Sequence, residues 1–123
     1  MNILIGSDHA GYTLKEVIKK AFPSIDFLDK GTYSTDSTDY PDYAHAVARG
    51  ILDHEALYGI LICGSGNGVS IAANRHPHVR AAIAWTPELA RLARQHNDAN
   101  ILSLPARFIS ENDAIEIVKT YLE

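Results

Sequence analysis

The sequence predicts an open α/β protein, with a five-stranded parallel sheet covered by helices on both faces. Two observations carry this prediction. Five short apolar runs alternate along the chain with longer segments whose apolar residues recur at helical spacing. The clearest run, residues 60–62, is continuously apolar, as in strands that are buried on both faces of a parallel sheet. The 123 residues contain no internal repeat, linker or low-complexity segment, so we expect a single domain over residues 1–123.

The amino-terminal elements follow from the local pattern of apolar and polar residues. Residues 3–5 form a short apolar run, and residues 25–29 alternate in the manner of a second strand. Between them, residues 12–20 keep apolar side chains at helical spacing, and Pro23 ends that helical segment. Residues 31–41 are polar and rich in turn formers, which indicates a surface loop of the kind that often carries function.

The remaining elements are marked by prolines and by helix-capping residues. Pro41 suits the first turn of one helix, and Thr86 followed by Pro87 suits the N-cap and first position of another. Ser110, with Asp113 three residues later, resembles a capping box at the start of the last helix. Strands are predicted at residues 60–62, 79–84 and 101–104, with a helix after Gly68 and a polar break at residues 95–100.

The composition excludes several classes of partner. A net charge of −4 argues against a nucleic acid, which selects a basic protein face. No apolar run approaches the roughly 18 residues that span a bilayer, so no membrane partner is expected, and no signal peptide is evident. The single cysteine cannot form an internal disulfide, which indicates a reducing compartment. We therefore expect a cytoplasmic protein.

The segment from Cys63 to Gly68, with further glycines at positions 64 and 66, is the strongest candidate for a functional site. Glycine permits close backbone approach, so successive N–H groups can converge on an anion, aided by the positive end of the following helix. The same field favours the thiolate of Cys63, which we expect to be exposed. The alternative is that Cys63 is a small core hydrophobe. The glycine spacing matches neither a P-loop nor a dinucleotide fingerprint.

Other polar residues are expected near this segment, because ligands of open α/β proteins bind beyond the carboxyl ends of the strands. Asp8 and His9 follow the first strand, Tyr40 lies in the polar loop, and Arg107 follows the last strand. For Asp8 the alternative is a helix cap, and for Tyr40 it is simple packing of the loop. The sequence therefore predicts a site at one edge of the sheet, assembled from several loops.

The histidines give a less specific signal. His96 and Asn97 follow a predicted helix, where a dipole contact and a turn are the alternatives to a role with a ligand. The four histidines at positions 45, 54, 76 and 78 are expected to face solvent or to cap helices. No metal site is predicted, because there is no second cysteine and no His-x-x-x-His pair falls on an apparent ligand face.

Five motifs together resemble ribose-5-phosphate isomerase type B and its relatives, the galactose-6-phosphate isomerase subunits. They occur in order between Met1 and about Leu122, and they read GSDHAG (6–11), TDYP (38–41), CGSGNG (63–68), AANR (72–75) and RQHNDAN (94–100). The resemblance implies a three-layer Rossmann-like fold, a single sugar-phosphate isomerase domain, and a homodimer or homotetramer with the active site at the subunit interface. It also implies interconversion of ribose 5-phosphate and ribulose 5-phosphate without a cofactor.

The resemblance further implies a role for each matching residue. Cys63 is implied to be the base that moves a proton between two sugar carbons, and His96 the group that opens the sugar ring. Asn97 is implied to reach the substrate from the neighbouring subunit. The other implied substrate-binding residues are Asp8, His9, Tyr40, Gly64, Ser65, Gly66, Asn67, Gly68 and Arg107. The chemistry agrees, because an enediolate needs preorganised donors such as the N–H groups of a glycine-rich loop.

Two features leave the identity of the substrate undetermined by the sequence. The resemblance places two phosphate-binding arginines beyond the last residue of this chain. We therefore expect either that His9, Arg107 and another basic residue bind the phosphate or that it is bound weakly. Some relatives carry a glutamate base after the last loop glycine, whereas this chain has Val69 there and keeps Cys63. The alternatives are an isomerase of a six-carbon sugar phosphate, such as allose or galactose 6-phosphate, and a non-catalytic sugar-phosphate-binding subunit. A flavodoxin-like module with Asp8 as phosphoacceptor would lack a partnering lysine.

Overall fold

The chain forms one five-stranded parallel sheet, as predicted. The computed structural model describes all residues, 1–123. The strands are Asn2–Ser7 (β1), Asp26–Asp29 (β2), Tyr58–Cys63 (β3), Ala81–Ile83 (β4) and Ile101–Pro105 (β5). Their order in the sheet is β2-β1-β3-β5-β4, and every neighbouring pair is parallel.

Helices cover both faces of the sheet, which confirms the three-layer architecture. They are Tyr12–Ala21 (α1), Tyr40–Leu52 (α2), Asn67–Ala73 (α3), Pro87–Asn97 (α4) and Glu111–Tyr121 (α5). Helices α1, α4 and α5 pack on one face, and α2 and α3 pack on the other. No helix is both long enough and apolar enough to cross a membrane.

The continuously apolar strands are explained by two separate cores. Ile60 and Ile62 of β3 belong to the larger cluster beneath α1, α4 and α5, whereas Leu61 and Cys63 belong to the cluster beneath α2 and α3. Successive side chains of a strand point to opposite faces, so a strand covered on both sides needs apolar residues at every position. Cys63 therefore points toward the face that α2 and α3 cover.

The helix boundaries confirm the predicted caps and correct one prediction. The Thr86 hydroxyl accepts a hydrogen bond from the Leu89 N–H at 3.2 Å, and Ser110 caps α5 in the same manner. The polar break predicted at residues 95–100 starts too early, because α4 continues to Asn97. The helix ends only at Asp98, whose backbone is left-handed with φ +48°.

The strand order creates a natural ligand position. From β1 the chain moves to β2 on one side, and it then returns across β1 to β3 on the other side. The loops after β1 and β3 therefore diverge at a switch in the direction of the sheet, where open α/β proteins bind their ligands. Asp8 follows β1 and Gly64 follows β3, so the predicted residues flank this switch point.

Candidate active site

A sharp turn after β3 holds the thiol of Cys63. Gly66 has φ +78°, a left-handed conformation that side-chain-bearing residues rarely adopt, and it begins α3. In this conformation the Gly66 N–H donates a hydrogen bond to Cys63 Sγ at 3.2 Å. The turn thus holds a backbone N–H donor against the sulfur.

The same turn presents free backbone donors. The N–H groups of Gly64, Ser65 and Gly68 have no hydrogen-bond acceptor within the chain. The carbonyl groups of the turn are engaged instead, since the Gly64 oxygen accepts from Arg107 N–H at 3.0 Å and the Cys63 oxygen accepts from Ala106 N–H at 2.9 Å. The loop after β5 therefore fixes the glycine turn through its carbonyl groups and leaves its free N–H groups available for an anion.

These groups surround one open cavity of about 390 Å³. Seven of its eight lining residues belong to the set that the sequence predicted: Asp8, Tyr40, Cys63, Gly64, Ser65, Gly68 and Arg107. Gly66 and Asn67 belong to the same segment but are not among the lining residues, and the Asn67 N–H donates to Ser65 Oγ at 3.2 Å. The volume suits a small metabolite of the size of a sugar phosphate.

Cys63 is more buried than the sequence predicted. Only 5% of the residue is exposed, and it packs with the apolar residues beneath α2 and α3. The expectation of an exposed thiol was wrong, because the helical layer above β3 covers most of the side chain. Cys63 nevertheless lines the same cavity as Gly64, Ser65 and Gly68, the three residues whose N–H groups are free.

Arg107 supplies a positive charge to the cavity. Its side chain lies against Gly64, since a Cβ atom placed on Gly64 would come within 3.1 Å of a guanidinium nitrogen. Arg107 is exposed and makes no ion pair within the chain. An arginine without an internal partner beside free N–H donors is suited to an anionic ligand such as a phosphate.

Two aromatic residues line the cavity. The Tyr40 ring packs on Gly68, where an added Cβ atom would lie 2.7 Å from a ring carbon. Phe108 also lines the cavity and stacks at 5.4 Å on Trp85, which follows β4. Sequence reasoning missed Phe108, because a single exposed phenylalanine in a loop carries no pattern. Its position next to Arg107 was the only available signal.

Asp8 lines this cavity, whereas His9, the next residue, is not among its lining residues. Asp8 Oδ1 accepts a hydrogen bond from the Gly11 N–H at 3.1 Å, so the capping role also considered for Asp8 is present. His9 Nδ1 lies 3.1 Å from the N–H of Thr38 and 3.2 Å from its carbonyl oxygen. The loop between β2 and α2 therefore fixes the imidazole next to Asp8.

His96 and Asn97 lie at the opposite edge of the sheet. Helix α4 starts after the carboxyl end of β4 and runs back, so its last residues reach the amino ends of the strands. There the Asn97 carbonyl oxygen accepts a hydrogen bond from Arg80, just before β4, at 2.6 Å. Both residues are exposed, and a single chain does not bring them to Cys63.

The other histidines do not join the site. His45 Nδ1 and His76 Nε2 lie 2.8 Å apart in a half-buried pair that links α2 to the segment after α3. Burial lowers the pKa of His76 below its ordinary value, and the neighbouring His45 and Arg49 lower it further. No group of three or more potential metal-binding side chains occurs in the structure.

Sequence and structural comparisons identify the same group of proteins. The sequence model of a family described as "Ribose/Galactose Isomerase" matches residues 3–123. The ribose-5-phosphate isomerase B of Escherichia coli is 43% identical over 122 residues, which cover 98% of this chain and 82% of that protein. A probable ribose-5-phosphate isomerase B of Mycoplasma genitalium is 42% identical, covering 99% of this chain and 83% of the relative.

Solved structures agree closely with the fold. A ribose 5-phosphate isomerase from Thermotoga maritima superposes with a TM-score of 0.97 at 52% identity, covering 99% of this chain and 86% of that one. Ribose-5-phosphate isomerase B from Mycoplasma genitalium with bound ribulose-5-phosphate gives a TM-score of 0.93 at 41% identity, with 99% and 83% coverage. The fold and the cavity together define an aldose–ketose isomerase. The chain belongs to the ribose/galactose isomerase family.

Proposed function

We propose that the chain interconverts ribose 5-phosphate and ribulose 5-phosphate through an enediolate, with Cys63 as the base. The observation that carries this proposal is that one cavity is lined by Cys63, by Arg107 and by three residues whose backbone N–H groups are free. The family and the ribulose-5-phosphate bound to the Mycoplasma genitalium relative support this choice of substrate.

The proposed proton transfer in the open-chain sugar needs only groups of the residues that line the cavity. The Cys63 thiolate removes the proton from C2 of the open-chain aldose, and the electron pair moves to the carbonyl oxygen at C1. The resulting enediolate carries its charge on oxygens that the N–H groups of Gly64, Ser65 and Gly68 can stabilise. The thiol then returns the proton to C1, the proton of the C2 hydroxyl passes to the C1 oxygen, and the C2 oxygen becomes the ketose carbonyl. The substrate itself accepts and returns the electron pair.

The phosphate has a separate anchor in this proposal. Arg107 lies beside Gly64 and has no internal ion pair, so its guanidinium is free to bind the phosphate oxygens. Asp8 and His9 would bind the sugar hydroxyls and the phosphate. Tyr40 would lie beside the carbon chain of the sugar. Binding of the phosphate at one end of the substrate holds the reacting carbons at the other end near the sulfur.

His96 and Asn97 enter the proposal only through a second subunit. They lie at the edge of the sheet opposite to Cys63, so they cannot open the sugar ring in their own chain's cavity. We assign them to the cavity of a neighbouring copy in a homodimer or homotetramer. Their exposure in the single chain supports this assignment. A cytoplasmic location remains a prediction from the sequence.

The test is to replace the base and to measure turnover and binding separately. For Cys63→Ala we expect kcat to fall by about 10²–10⁴-fold, the usual contribution of a positioned general base. Binding of ribose 5-phosphate, measured by calorimetry, should stay within a few-fold because Arg107 and the loop amides remain. Ser70→Ala is the matched control, since Ser70 Oγ is buried in α3 without a partner.

The same assay should include five-carbon and six-carbon sugar phosphates. A higher kcat/KM for allose or galactose 6-phosphate than for ribose 5-phosphate would show that the substrate is a six-carbon sugar phosphate. Binding of sugar phosphates without turnover of any of them would favour the non-catalytic subunit. A Cys63→Ala variant with the kcat of the unmodified protein would refute the thiolate base.

A further inference from the structure

Lys15 is a fully buried charged residue outside the cavity. It lies in the first turns of α1, and its side chain has no exposed surface. Its ammonium group donates three hydrogen bonds of 2.7 Å, to Asp29 Oδ1, to Asp29 Oδ2 and to the carbonyl oxygen of Thr32. All three donors of the lysine are therefore used, and all three acceptors lie at the end of β2 or in the loop after it.

The groups that Lys15 binds are connected directly to the end of β1. Asp29 Oδ1 also accepts a hydrogen bond from the Gly31 N–H at 2.8 Å. The Gly31 carbonyl oxygen accepts from the Ser7 N–H at 2.7 Å, and the Thr32 N–H donates to the Ser7 carbonyl oxygen at 2.7 Å. Ser7 is the residue before Asp8, so the loop is fixed to the chain immediately ahead of the cavity.

The same loop is fixed a second time immediately after Asp8. Thr38, at the far end of the loop, contacts His9 Nδ1 through its backbone. The loop of residues 31–38 is therefore attached to the chain on both sides of Asp8. Lys15 is the only side chain that binds both the carboxylate at the start of this loop and a backbone carbonyl within it.

We infer that Lys15 is a positioning residue for substrate binding, acting through Asp29 and the loop of residues 31–38 on Asp8 and His9. A buried ion pair contributes little net stability compared with well-packed apolar residues, and in some proteins it fixes one conformation instead. Here the conformation fixed is that of Asp8, which lines the cavity, and of His9, the residue that follows it. This inference rests on the proposed function, in which Asp8 and His9 bind the sugar phosphate.

The experiment compares Lys15→Met with two controls. Lys15→Met should raise KM for ribose 5-phosphate about tenfold while kcat changes less than threefold, because a displaced binding group loses affinity and leaves the base intact. Lys19→Met is the matched control, since Lys19 also binds Asp29 at 2.8 Å but makes no contact with the loop. Ile18→Val controls for weakened packing of α1, and both controls should keep KM within twofold.

A second readout reports on His9 itself. The ¹⁵N chemical shifts of the His9 imidazole depend on its contact with Thr38, and Lys15→Met should move them toward the values of a free histidine. Unchanged KM and unchanged His9 shifts in Lys15→Met would overturn the inference, and so would an equal rise of KM in Lys19→Met. Should Lys15→Met fail to fold, Lys15→Met with Asp29→Leu removes both charges and should show the same changes. Absence of turnover in the unmodified protein would refute the proposed function, and the His9 shifts would still decide the role of Lys15.

Discussion

At the scale of single residues, the geometry of the thiol depends on Gly66. Its left-handed backbone directs its N–H at Cys63 Sγ, and the neighbouring N–H groups of the turn stay free. A residue with a side chain is sterically disfavoured in this conformation, and asparagine tolerates it better than alanine does. The turn is also crowded, since a Cβ atom on Gly66 would lie 3.3 Å from Ile83.

The first prediction separates backbone conformation from crowding at this position. Gly66→Ala should lower the free energy of unfolding by about 1–2 kcal/mol and reduce kcat, because the turn must relax away from the left-handed region. Gly66→Asn adds the same Cβ atom, but asparagine tolerates the left-handed backbone conformation. Its free energy of unfolding and its kcat should therefore fall less than those of Gly66→Ala. Urea denaturation and steady-state kinetics measure the two effects. Equal losses in the two variants would show that crowding, and not φ, governs the turn.

At the scale of secondary-structure elements, α1 is linked to the end of β2 by charge. Asp29 accepts hydrogen bonds from Lys15 and Lys19 of α1 at 2.7–2.8 Å. Burial by itself raises the pKa of the Asp29 carboxyl, but the hydrogen bonds from Lys15, Lys19 and the Gly31 N–H outweigh it and hold the pKa below the ordinary value of 3.8. The same hydrogen bond raises the pKa of the Lys19 ammonium above its ordinary value.

The second prediction concerns stability in acid. Because the pKa of Asp29 is lower in the folded chain than the unfolded value of 3.8, the carboxylate stabilises the fold at every pH above about 4. That contribution is lost as the pH falls from about 4 through the folded pKa. Carboxyl ¹³C shifts should give a midpoint for Asp29 below 3.8, and Lys15→Met should raise that midpoint. A midpoint above 3.8 in the unmodified protein would contradict the assigned network.

At the scale of the whole molecule, the two predicted catalytic residues lie at opposite edges of one sheet. Cys63 ends β3 at the carboxyl edge, whereas His96 ends α4 at the amino edge. In a parallel α/β fold each helix runs against the strands, so a residue at the end of a helix cannot lie with a residue at the end of a strand. In the proposed assembly, a second copy would bring them together.

The third prediction concerns this separation. Cys63→Ala and His96→Ala homomers should each be strongly impaired, but subunits mixed by unfolding and refolding should recover activity. In a mixed dimer one site combines an intact Cys63 with an intact His96, so an equal mixture should approach about a quarter of full activity. Mixing without recovery, in preparations that have exchanged subunits, would place His96 outside the site. The same equal mixture of the two variants, assayed before unfolding, serves as the control.

The sequence by itself determined the sheet, its covering helices and most of the cavity. Continuous apolar runs such as residues 60–62 specify strands buried on both faces, and Thr86 and Ser110 specify helix starts, because these are local properties of a few neighbouring residues. The glycines after Cys63 likewise specify a turn with free donors. Residues directly after the strands of a parallel sheet lie at its carboxyl edge, so the strand assignments also placed the cavity.

Only the tertiary structure decided how these parts meet. The burial of Cys63 depends on the helices above β3, the entry of Phe108 into the cavity depends on the loop after β5, and the pairing of His45 with His76 depends on α2 meeting the segment after α3. The three hydrogen bonds of Lys15 join residues that are 14 and 17 positions apart. Such contacts join residues distant in the sequence, and no local pattern encodes a distance that the packing of whole elements sets.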